Sequence, residues 1–175
     1  MSRYQARFAQ ILAQKISADL RNALAPPSEI TASAEQPILP HALLKKCNRN
    51  YIIKVVYQIN RTYKETCYDA CAVMIRRLVE TLIIETYEHH KIADRIQENG
   101  EFYPLDKLIG AFLTEPTWNL TRNSKQGLKA IRDLKTQGDL SAHSRRYNAH
   151  REDIDRLRDS VRIVTQELLS LAGLS

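Results

Sequence analysis

At 175 residues with 43% apolar content, the chain is long enough for one domain with a real core plus an appendage, and its composition is that of an ordinary globular protein. Its apolar stretches fall short of the roughly 18 residues that a membrane span needs, and no charged start is followed by an apolar signal core. A cytoplasmic location with no membrane partner is therefore expected. The net charge of +6 is unevenly spread: residues 41 to 64 carry Lys45, Lys46, Arg49, Lys54, Arg61 and Lys64 and no acid, residues 65 to 118 carry a net −5, and residues 119 to 162 a net +5. If the two basic blocks meet in the fold they form a phosphate-attracting surface, and if they do not they are solvated helix faces.

Residues 1 to 24 place Tyr4, Phe8, Ile11, Leu12, Ile16 and Leu20 at helical spacing, an amphipathic arm that needs a partner, either a neighbouring subunit or its own core. Residues 25 to 40 hold four of the six prolines and read as a linker, leaving 41 to 175 as the helical domain. There Ile52, Val55, Val56, Ile59 and Tyr63 form one stripe. The β-branched run within it suits a strand when read alone and a helix in these surroundings.

The clearest helix runs from about Thr66 to His90. Tyr68, Cys71, Ile75, Leu78 and Leu82 alternate steps of three and four, and Val79, Ile83 and Tyr87 widen the stripe to that of a central, heavily buried helix. Arg76, Arg77 and Glu80 interrupt the stripe and read as a structural polar cluster in preference to a ligand site, with Arg76 and Glu80, one turn apart, spaced to pair. Cys47, Cys67 and Cys71 lack a second pair for a zinc knuckle and read as reduced thiols in or near the core. The adjacent His89 and His90 point to different sides with no third ligand at metal spacing, so no metal is assigned. Asn99-Gly100 ends this region, Pro104 opens a short helix with Leu105, Leu108, Ile109 and Phe112, and Pro116 closes it beside Trp118, which caps the core.

Leu128, Ile131 and Leu134 mark a helix that Gly138 is expected to stop, and Ile154, Leu157, Val161, Val164, Leu168 and Leu171 mark the last one, with Glu152 and Asp153 favourable to its dipole. The fold class expected is all-α. It is an antiparallel four-helix bundle with an additional N-terminal amphipathic helix and a short helix between the second and third bundle helices. GxxxxGK[ST] and GxGxxG are absent, and no cofactor is assigned.

Between the last two helices lies Gly138-Asp139-Leu140-Ser141-Ala142-His143, read as a loop and followed by Arg145-Arg146. A His among arginines there is either an acid and base or a structural pin.

The segments CYDACAVMIRRLVETLIIETYE and WNLTRNSKQGLKAIRDLKTQGDLSAHS, followed by the amphipathic last helix, resemble the domain of unknown function 4145 group of the HEPN superfamily over roughly residues 45 to 172. The resemblance implies a four-helix bundle, usually dimeric, and in active members a metal-independent ribonuclease. Such members carry Arg, a polar residue, about three more residues and then His, at or just before the start of the last long helix. The His moves the proton of the ribose 2′-hydroxyl or the leaving oxygen, and the Arg holds the phosphate charge that develops. Laid over this sequence, the polar residue falls on Asp139 and the His on His143, but Gly138 stands at the Arg position. Lys135, Arg145 and Arg146 are the nearby side chains that can replace it. Arg145 to His150 fits the looser pattern of Arg, four to six residues, then His.

Three readings follow. The first is a non-catalytic module, expected to be a homodimer, that binds RNA, DNA or a nucleoprotein through Lys45, Lys46, Arg49 and Lys54 in one block and Arg122, Lys125, Lys129, Arg132, Lys135, Arg145 and Arg146 in the other. The second is a ribonuclease, a toxin or defence effector, using His143 or His150 with Arg145 or Arg146. The third is an assembly adaptor whose N-terminal helix meets a protein partner.

Overall fold

The chain divides into two units, residues 1–35 and 36–175. The computed structural model describes residues 36–143 and 149–175, and of 134–143 it describes the backbone course alone. The arm expected over 1–24 therefore lies outside the described residues.

The described chain is mostly helical, as the all-α expectation requires. Its helices are α1 (Asn50–Lys64), α2 (Tyr68–His89), α3 (Leu105–Thr114), α4 (Arg122–His143) and α5 (Arg151–Leu171). Two 3-10 turns, His41–Leu44 and Ala93–Ile96, and a hairpin of two-residue strands, β1 (Gln97–Glu98) and β2 (Glu101–Phe102), complete it. The hairpin was not foreseen. Asn99 and Gly100, read as the end of a helical region, have φ of 56° and 82°, the left-handed pair that a type I′ hairpin turn demands.

Packing follows the apolar spacing. Ile52, Val55, Val56, Ile59 and Tyr63 are all buried, so the β-branched run lies on a helix whose 3.6-residue period matches its stripe. Along α2, Ile75, Leu78, Val79, Leu82 and Ile83 are fully buried, and this helix packs on α1, α3, α4 and α5. α5 packs on α4 as well as on α2. Gly127 sets the approach of α4 to α5: a Cβ there would stand 2.8 Å from Val164 Cγ2 and 3.3 Å from the Ser160 carbonyl oxygen. At the other end of the short helix, Trp118 is buried against Tyr87 and Phe112 and donates Nε1–H to the Phe112 carbonyl at 3.2 Å, which is the core-capping role expected of it.

Three helices end in the same hydrogen-bonded motif with a left-handed residue. After α1 the Thr66 and Cys67 N–H groups donate to Tyr63 and Thr62 carbonyls, after α2 those of Lys91 and Ile92 donate to Glu88 and Tyr87, and after α5 those of Gly173 and Leu174 donate to Ser170 and Leu169. The left-handed positions are Thr66 (φ 59°), Lys91 (φ 59°) and Gly173 (φ 68°). Only the last is a glycine.

Two expectations are corrected. Gly138 does not stop α4, whose backbone continues helical to His143, so Gly138–His143 is the last part of a helix and not a loop. One interior glycine costs about 1 kcal/mol relative to Ala, which a 22-residue helix absorbs. The Arg76–Glu80 pair is not formed. Among the described residues the Arg76 Nε is buried without a hydrogen-bond partner.

The Pro-rich segment is described from Gln36, and its last residues are part of the core. Ile38 and Leu39 are 0% and 1% exposed. Asn60 on α1 brackets Leu39, its Oδ1 accepting from the Leu39 N–H at 3.0 Å and its Nδ2 donating to the Leu39 carbonyl at 2.8 Å. From α5, Arg162 donates to the Ile38 and Pro37 carbonyls at 2.8 and 2.6 Å, and Arg158 donates to the Gln36 carbonyl. This strap, with its carbonyls held by two arginines, joins α1 to α5.

Candidate nucleic-acid interface

The face of α1 opposite its buried stripe carries Tyr51, Lys54, Tyr57, Arg61 and Lys64, all exposed. At 100° per residue they lie within an arc of about 140°, so cations and aromatic rings alternate along one side of the helix. Lys45 and Lys46 are exposed just before it, after the His41–Leu44 turn. Two acids at this face are already matched. Glu85 on α2 accepts hydrogen bonds from the Tyr51 hydroxyl and, at 3.4 Å, from Arg49 Nε, while Glu65 pairs with Arg61 at 3.0 Å. Lys45, Lys46, Lys54 and Lys64 have no ion-pair partner among the described residues.

A second stripe runs along α4. Arg122, Lys125 and Lys129 are exposed and Arg132 is half-buried, the four lying within an arc of about 80°. Thr121 fixes the start of this helix. Its Oγ1 accepts the Ser124 N–H at 3.2 Å, and its own N–H and hydroxyl donate to Glu167 of α5 at 3.0 and 2.9 Å. The two basic blocks flanking the acidic one thus sit on two helices: α1 packs on α2, whereas α4 packs on α5, α3 and α2. They form separate stripes, each exposed to solvent, and Arg49 is drawn from the first by Glu85.

The candidate catalytic residues are distributed differently. His143 is the last residue of α4, and Lys135 lies on the same helix. Arg145 and Arg146 lie outside the described residues. His150 is exposed at the N-cap position of α5, where its backbone N–H donates to Asp153 Oδ2 at 3.0 Å. The preceding Ala149 N–H donates to Asp69 Oδ1 at 2.9 Å, which anchors this approach to the first turn of α2. His89 and His90 end α2 with their rings 5.3 Å apart and perpendicular, the first exposed and the second against Trp118. Among the described residues no three His, Cys, Asp or Glu side chains are grouped as a metal site would require.

Two features of this surface escaped the sequence reading. Tyr51 and Tyr57 are 44% and 58% exposed, and their positions three residues either side of Lys54 are the signal that could have found them. The other is the cluster joining α1 to α5. Tyr63 donates to Asp155 Oδ1 at 2.6 Å, Arg158 donates to both, and Arg151 meets Asp155 Oδ2 at 3.3 Å. No family model, curated protein or solved structure matches this chain.

Proposed function

We propose that the chain is a non-catalytic, HEPN-like helical module that binds nucleic acid through the outward faces of α1 and α4. In this reading α1, α2, α4 and α5 are the members of an antiparallel four-helix bundle, and the molecule acts as a homodimer. The supporting observation is the α1 face with the segment just before it, where Lys45, Lys46, Lys54 and Lys64 have no ion-pair partners among the described residues and the acids Glu85 and Glu65 are occupied by Arg49, Tyr51 and Arg61. Unmatched cations in a row attract a polyanion and release its counterions on contact.

Four phosphate contacts give a salt slope of about −3 on a single strand, so raising salt from about 50 to 200 mM weakens binding about 50-fold. Fluorescence anisotropy with labelled RNA and DNA oligonucleotides measures this. Binding that ignores salt, or no binding in low salt, overturns the proposal.

One observation favours a second reading, a metal-independent ribonuclease. His150 is exposed directly before the last long helix, with Arg145 five residues earlier, the arrangement the resemblance associates with activity. The His would move the 2′-hydroxyl or leaving-group proton and Arg145 or Arg146 would hold the phosphate, with His143 as the other candidate. Cleavage of RNA in chelator, lost in His150→Ala or His143→Ala, supports it. Undiminished cleavage by the doubly substituted protein excludes both residues.

A further inference from the structure

We infer that the α1 face takes an unpaired stretch of nucleic acid, with the Tyr57 ring as a platform on which a base stacks while Lys54 and Lys64 hold the flanking phosphates. The inference rests on the nucleic-acid reading above and specifies which form is bound and where.

Its starting point is Tyr57. The residue is 58% exposed and its side chain has no hydrogen-bond or ring partner among the described residues, whereas the buried Tyr63 and Tyr87 are held by several contacts. A solvated aromatic ring gains most from a flat apolar face, and every nucleobase offers one. The surroundings select an anionic chain to carry it. Lys54 precedes Tyr57 by one turn and Lys64 follows it by two, with the Glu65-paired Arg61 between them, so two unmatched lysines and the ring share one side of the helix. Tyr51 lies a further turn back from Lys54, about 9 Å along the axis from Tyr57. Its hydroxyl is held by Glu85, which fixes the ring in place while leaving 44% of the residue exposed.

Rings alternating with cations suit single strands better than duplex. In a duplex the base faces are already stacked on one another, so an exposed tyrosine gains nothing from them, and only phosphate contacts remain. An unpaired strand offers both base faces and phosphates to the same ridge. The α4 stripe, in contrast, presents Arg122, Lys125, Lys129 and Arg132 with no aromatic residue among them, so it attracts phosphates without discriminating form.

The full-length protein is titrated into a labelled 12-nucleotide single strand and into the same strand annealed to its complement, at low salt. The single strand is expected to bind more tightly. Tyr57→Ala weakens single-strand binding about 5- to 100-fold and duplex binding little, and Tyr57→Phe, which keeps the ring, stays within about twofold of the unaltered protein. Lys54→Ala reduces the salt slope by about 0.7. Because Tyr57 is exposed, circular dichroism and the urea midpoint of Tyr57→Ala should match the unaltered chain and separate lost binding from lost fold.

Equal affinity for both forms, with Tyr57→Ala unchanged, overturns this inference and leaves general nucleic-acid binding standing. No binding of either form in low salt overturns both. If sedimentation shows self-association that Tyr57→Ala abolishes while nucleic-acid affinity is unchanged, the face belongs to a second copy of the chain and the inference fails.

Discussion

The Tyr63 phenol donates to Asp155 Oδ1 at 2.6 Å, joining the last turn of α1 to the early turns of α5 across 92 residues of chain. The contact does not stand alone. Arg158 donates to both partners and to the Gln36 carbonyl, and its guanidinium lies 5.0 Å over the Tyr63 ring. One carboxylate therefore organises two helices and the strap.

This cluster makes stability depend on pH at both ends. Burial alone would raise the Asp155 carboxyl, but the hydrogen bonds from Tyr63 and Arg158 outweigh it and hold the group below the ordinary carboxylate value. Its contribution is complete above about pH 4 and is lost as pH falls through the lower folded value. Burial first, then the bond to Asp155, raises the Tyr63 phenol, so its contribution is complete below about pH 10 and is lost as pH rises through the higher folded value. Tyr63→Phe should cost about 1 kcal/mol at neutral pH, less than the roughly 1.5 to 3 kcal/mol of a buried bond to a charge because the Asp155 side chain is 37% exposed. Urea midpoints measured across pH should show smaller acid and alkaline losses in that variant.

Gly127→Ala tests the approach of α4 to α5. Helix propensity favours Ala by about 1 kcal/mol, but the added carbon meets the buried, stiff Val164 at 2.8 Å, a clash of the kind that costs about 1 to 3 kcal/mol. A net loss of about 1 kcal/mol is expected in urea unfolding. A gain in stability would show that the helices separate freely.

The three left-handed helix ends differ in cost. Thr66 is β-branched and exposed, so Thr66→Gly or Thr66→Asn should stabilise by about 0.5 to 1 kcal/mol. Gly173→Ala should destabilise by about 1 to 2 kcal/mol through its positive φ, with a further contribution from His89, whose Cε1 would lie 2.6 Å from the new carbon. Thermal unfolding of Gly173→Ala with and without His89→Ala separates the two: only the clash disappears in the double variant.

The thiols should react unequally. Cys67 is exposed, whereas Cys47 and Cys71 are buried and burial pushes the Cys71 thiol up to about 12, leaving it protonated at neutral pH. A thiol reagent should modify one cysteine in the native protein and three after unfolding. Rapid native modification of two would contradict this burial.

The sequence was most legible where burial alone selects the residue. The stripes of α1, α2, α3 and α5 repeat at the helical period, and every named residue from Ile52 to Tyr63 faces inward. It was least legible where two local preferences compete. Gly138 is a common helix terminator, yet it lies inside α4, and Asn99-Gly100 served a hairpin too short to show alternation. Arg76 and Glu80 had the right spacing for a pair, but spacing on a helix does not make a bond form. Net charge by block found both basic stripes, while their separation onto α1 and α4 depends on which helices pack, information that composition does not hold. Tyr57 went unnoticed because an aromatic residue at helical spacing is ordinarily core.

The strap also limits where this chain can be shortened. A boundary placed by prolines alone, at residue 40, would discard Ile38 and Leu39 and empty two filled sites between α1 and α5. Asn60 and Arg162 would keep their polar groups and lose the backbone that satisfies them. Gln36 to Pro40 are at once the edge of the unit and part of its interior, so a fragment that starts after Gln36 loses part of this core.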